Sequence, residues 1–199
     1  MRRWFIIGGT AGLIILSALC GLSGRTASAG AMAHDKETMI QSAVAAAPPE
    51  IGRGAKVVMV KPDGSVETLR EGSNGFTCIP DHPETPGMDP MCADPQGWKW
   101  VISWVKHEPK PANDQPGLIY MLQGGSDLSA TDPWATKTEK FIESPPHYMI
   151  MWPFEPKTTG LPTIPSQTGT WIMWADTPYA HLMINQNPIP AGAGTSERK

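Results

Sequence analysis

The stretch Trp171-Ile172-Met173-Trp174-Ala175-Asp176-Thr177-Pro178-Tyr179-Ala180-His181-Leu182-Met183-Ile184 decides the fold class. Two apolar runs, 171–175 and 180–184, flank a turn-forming tetrapeptide, which is a hairpin-sized connection between strands. Both runs are apolar at nearly every position, so the strands are expected in the middle of a sheet with something packed on each face. His147 to Trp152 and Leu118 to Leu122 have the same character. Lys56 to Val60 reads as a further strand, and Pro62-Asp63-Gly64 turns it toward a partner at Val66 to Leu69.

Helical periodicity appears in two places. Met39, Ile40, Ala43, Val44 and Ala47 recur at helical spacing, Asp35 is suited to cap that helix, and Pro48-Pro49 stops it. Pro95 opens a second helix running to about His107, with a polar stripe of Lys99, Ser103 and Lys106 and apolar residues over the rest. Such a helix is buried over most of its girth. The expectation is one α+β domain with a mostly antiparallel sheet, one or two packed helices and one disulfide. An N-terminal helix and linker would occupy 34–52, the globular domain 53–187 and a flexible tail 188–199.

The chain has 199 residues, 40% hydrophobic and 18% charged, with 21 prolines and 20 glycines. That apolar share excludes a disordered chain, and the proline and glycine content excludes a coiled coil or helical bundle. A net charge of −3 gives no reason to expect nucleic acid as a partner.

Residues 1–33 read as an export signal. Met1-Arg2-Arg3 precedes an uncharged run from Trp4 to Leu22, and small-residue triplets place cleavage between about 29 and 33. Arg2-Arg3-Trp4-Phe5-Ile6 resembles a twin-arginine signal, while the basic start also suffices for Sec export. Membrane contact would come only from this segment, if it were retained. Losing Arg2, Arg3 and Arg25 leaves 13 basic against 19 acidic residues, a net of −6. Cys20 goes with the signal. Cys78 and Cys92 then remain, an even number in an exported chain, and are expected to pair.

Several catalytic signatures are missing: the Gly-x-Ser-x-Gly elbow, phosphate-binding glycine loops and His-Glu-x-x-His. The constellation that remains is histidine with methionine on strands. Alternation puts His147, Met149 and Met151 on one face and His181 with Met183 on another. Imidazole with thioether suits copper, above all the cuprous ion; the same residues also serve as ordinary core packing. Cleavage before His34 would create an amino-terminal copper chelate of the kind that starts copper-dependent polysaccharide monooxygenases, although a helix rather than a strand is expected to follow. Asp127 and Asp132 offer carboxylates for calcium, or serve as plain turn residues.

Asn74-Gly75-Phe76-Thr77-Cys78, Asp89-Pro90-Met91-Cys92, Tyr120-Met121-Leu122-Gln123-Gly124-Gly125, Pro146-His147 and Thr177-Pro178-Tyr179-Ala180-His181 resemble a family of exported bacterial proteins without an assigned activity. The resemblance covers most of residues 50–185. It implies one intact exported domain and transfers no catalytic residue. Two functions follow from the residues. One is a periplasmic or secreted binding domain with His147 and His181 at its pocket, for copper or a small ligand. The other is an extracytoplasmic oxidoreductase or hydrolase using those histidines beside Asp132 or Asp176. A carboxylate within hydrogen-bond reach of a histidine would mark the enzyme.

Overall fold

The computed structural model describes residues 35–82, 85, 87–167 and 169–186. The export signal, His34 and the tail from 188 lie outside the described residues. The chain divides into two units, Met1–Asp35 and Lys36–Lys199, and the architecture below is that of the second.

Helix α1 occupies residues 35–45, and Asp35 is itself helical rather than its cap. A short helix α2 (Pro49–Gly52) leads into β1 (Lys56–Val60) and β2 (Val66–Arg70). Then come β3 (Thr77–Ile79), β4 (Met91–Ala93), helix α3 (Pro95–Val105), β5 (Gly117–Met121) and β6 (Gly125–Asp127). The rest is β7 (Ile142–Ser144), β8 (His147–Met151), helix α4 (Pro156–Thr159), β9 (Gly169–Met173) and β10 (His181–Asn185).

Eight strands form one sheet in the order β2-β1-β3-β4-β5-β8-β10-β9, and β6 pairs with β7 in a small second sheet. Among the described residues, only the β1–β3 pairing is parallel. The architecture is α+β and mostly antiparallel, as expected. Cys78 and Cys92 face each other in register on β3 and β4 and are joined as a disulfide.

The sheet carries a core on each face. Alternate residues Ile119, Met121, Met149, Met151, Trp171, Met173 and Met183 pack with Trp100 and Val101 of α3. The opposite face gathers Val57, Cys78 and Cys92 under Ile40, Ala43, Ala46 and Ala47 of the N-terminal segment. The backbone N–H of Leu122 donates to Ala46 O at 2.9 Å, pinning that segment to the end of β5. Helix α3 starts where Asp94 accepts from Gly97 N at 2.7 Å, with Pro95 at the first helical position.

Two expectations need correction. Ser103 does not belong to a solvent stripe: it is 2% exposed, donates to Glu108 Oε2 at 2.8 Å and accepts from Ala112 N at 3.1 Å. A hydroxyl can enter a core when both its donor and acceptor capacity are used. Strand β9 is not central but terminal. The loop before it shields that edge, with Ile172 N donating to Pro162 O at 2.8 Å.

Candidate functional site

His147 and His181 open β8 and β10, which are antiparallel neighbours. Both side chains point to the α3 face, 1% and 2% exposed. Each ring is anchored in the same way. His147 Nδ1–H donates to Pro145 O at 2.7 Å, and His181 Nδ1–H donates to Tyr179 O at 3.0 Å. A carbonyl can only accept, so Nδ1 carries the proton and the lone pair stays on Nε2. Burial holds both imidazoles below the ordinary histidine range, outweighing those hydrogen bonds, and His181 falls to about 4. Both are therefore neutral at pH 7. No described protein group donates to either Nε2.

The register sets the spacing between them. His147 lies between Met121 of β5 and Asn185 of β10, while His181 pairs with Met173 of β9. Met149 pairs with Met183 between those two positions. The histidines thus stand four residues apart along the strands, roughly 13 Å at the usual rise. They flank the Met149–Met183 pair, and the His147 ring is near enough that its charge adds to the lowering of His181.

Above that row is a cavity of about 610 Å³. His147, His181, Met149 and Met151 all line it. Met183 does not; it is 1% exposed and belongs to the core beneath. Met121, Met173 and Met91 take part in the wall instead. At the His181 end the indoles close in. Trp100 and Trp174 stack with centroids 5.8 Å apart, and each meets the His181 ring edge-on, at 5.3 and 5.1 Å. Trp174 holds φ 53°, an unusual backbone conformation for so bulky a residue. Its indole N–H donates to Ser129 O at 2.9 Å.

An acidic wall faces the methionines, and the sequence reading missed most of it. Asp81 and Asp89 come from the loop between the cysteines, and Asp127 from β6. Asp81 Oδ1 accepts from Asp89 N at 2.8 Å, and Ser126 Oγ donates to Asp89 Oδ2 at 3.4 Å. Burial, with the nearby Asp89 charge, pushes the Asp127 carboxyl up to about 7. Burial likewise raises Asp89. These acids lie far apart in sequence, so no spacing rule could have joined them.

Asp132 and Asp176 do not bond either histidine. Asp132 Oδ1 accepts from Trp134 N at 2.9 Å, a turn role, and Asp176 is exposed in the β9–β10 connection. Among the described residues there is no group of three or more His, Cys, Asp or Glu arranged to hold a metal ion. No helix among them is long and apolar enough to cross a membrane. Neither a family model nor a curated protein nor a solved structure matches the chain.

Proposed function

We propose that the protein is an exported binding domain that takes a small ligand in the cavity bounded by His147 and His181. The observation that carries this reading is the state of the two imidazoles. Each gives Nδ1–H to the backbone and keeps an unpaired acceptor at a buried cavity wall. No carboxylate is within hydrogen-bond contact of either ring to make it a general base. A cavity of about 610 Å³ is far larger than an ion needs and falls within the range of small-molecule pockets. The disulfide between Cys78 and Cys92 suits an oxidising compartment outside the cytoplasm.

Cuprous copper is the second reading, favoured by the thioethers of Met149 and Met151 on the face His147 shares. One experiment weighs both. Protein purified from its native compartment is denatured, and the released material is analysed by mass spectrometry and for metals. A stoichiometric organic compound, lost in His147→Ala and His181→Ala, supports the first reading, and stoichiometric copper lost in both supports the second. Protein that releases neither contradicts both.

A further inference from the structure

The cavity's polar groups are unevenly matched. His147 and His181 present Nε2 lone pairs and Asp127 an unpartnered carboxyl, whereas Asp81 already accepts from Asp89 N, and Asp89 from His82 N and Ser126 Oγ. Apart from Trp100 Nε1, which has no acceptor among the described residues, the indole and hydroxyl donors nearby are largely spent. Trp104 Nε1 donates to Pro133 O, Trp174 Nε1 to Ser129 O, Thr85 Oγ1 to His82 O and Ser126 Oγ to Asp89. Among the described residues, Lys61, an exposed residue, is the only lysine or arginine lining the cavity. Two buried imidazole lone pairs beside a half-buried, unpartnered carboxyl are completed by a partner that brings donors and positive charge.

Strand β6 fixes where that partner would sit. A Cβ built on Gly125 would lie 3.3 Å from His147 Cε1, so that face of β6 looks directly at the His147 ring. Alternation puts Asp127 on the same face. Its carboxyl has no hydrogen-bond partner among the described residues, and it lines the same cavity. Two independent features therefore converge on one space: the acids, and a histidine that is 1% exposed with its Nε2 unpartnered.

Building on the cavity reading above, we infer that the ligand is an organic ammonium ion: an amine whose N–H groups go to Asp127 and His147, with an apolar body over Met149 and Met151 toward Trp100 and Trp174. An ammonium supplies three donors and the missing positive charge, and has no acceptor to clash with the lone pairs around it. An anion would face the carboxyls with the exposed Lys61 at the rim as its lysine or arginine counter-charge. A neutral alcohol would satisfy one acceptor and leave the charge unbalanced.

Charge linkage gives the idea a signature. Asp127 titrates near 7, raised by burial and Asp89, and only its ionised form attracts the ammonium. The groups around it are Asp81, His82 and Asp89 on the inter-cysteine loop, Asp132 beyond β6, the two neutral imidazoles of the sheet, and Lys61 at the rim. Affinity for an amine should therefore rise as pH rises through 7, by about tenfold from pH 6 to 8.

The test is calorimetric titration of the full mature protein with benzylamine, benzyl alcohol and benzoate at pH 6 and pH 8. Benzylamine is expected to bind at least tenfold more tightly than the other two at pH 8, and to lose about tenfold at pH 6. In Asp127→Asn, which keeps the shape but not the charge, both the preference and the pH dependence should vanish while benzyl alcohol is unaffected. Alcohol or benzoate binding as tightly as the amine would overturn the ammonium class and leave the cavity reading standing. So would an amine affinity that is flat with pH in the parent protein. Failure of all three probes to bind also overturns the class, while the released-ligand experiment above separately decides the cavity reading.

Discussion

His147 and His181 each give Nδ1–H to a carbonyl two residues back in the chain, at Pro145 and Tyr179. This local device was partly legible, because both histidines stand in short motifs ahead of apolar alternation. What could not be read was their separation by the Met149–Met183 row, which only the β8–β10 register determines. Their burial has a consequence for stability. His181 drops from 6.5 to about 4 in the fold, so the unfolded chain binds more protons between those values. That contribution is present above 6.5 and is lost as pH falls toward 4, up to about 3 kcal/mol. Asp127 has the opposite sign. Its folded value of about 7 exceeds the ordinary 3.8, so its contribution is present at low pH and is lost as pH rises through 7. The two oppose each other across one window. Urea unfolding at pH 4.5 and 6.5 should therefore show a steeper gain of stability with pH in Asp127→Asn than in the parent. Equal slopes would contradict the assignment.

Among the elements, the contact between α3 and β5 depends on two glycines. A Cβ at Gly117 would lie 2.2 Å from Gly97 N, backbone against backbone, so the helix could not keep its seat. Gly117→Ala should cost about 2 kcal/mol or more, as overpacking does. Asp94→Ala removes only the helix cap and should cost about 1 kcal/mol. Denaturant midpoints of the two variants check the order; a milder effect for Gly117→Ala would show that the helix moves freely. Helix α3 itself was visible from its proline start and apolar girth, and β1, β5, β8 and β10 from their apolar runs. The short strands were not. Thr77–Ile79 and Met91–Ala93 flank a proline-rich loop, and Gly125–Asp127 has no apolar alternation to betray it. These strands exist because longer neighbours or a tertiary partner supply what their own side chains lack.

At the scale of the whole molecule, one sheet separates two cores, with α3 on one side and the N-terminal helical segment on the other. Cys78 and Cys92 lie in the second core and hold the base of the loop that brings Asp81 and Asp89 to the cavity. The pairing and the α+β class followed from the sequence, since parity, compartment and strand character all pointed one way. The acidic wall did not, because residues 81, 89 and 127 meet only through the fold. Replacing both cysteines with serine should cost roughly 3 kcal/mol for a loop of this length, read as a lower melting temperature. The same change should weaken ligand binding by loosening the Asp81–Asp89 wall; unchanged affinity would separate the disulfide from the site.

The central claim is that two neutral imidazoles offer lone pairs to a buried cavity, and long-range proton–nitrogen correlation of the histidine rings at pH 7 tests it most directly. His147 and His181 should both show a protonated Nδ1 and an unprotonated Nε2, with the His147 Nε2 resonance moving when benzylamine is added. An imidazolium, or a proton on Nε2 in either ring, would contradict the account.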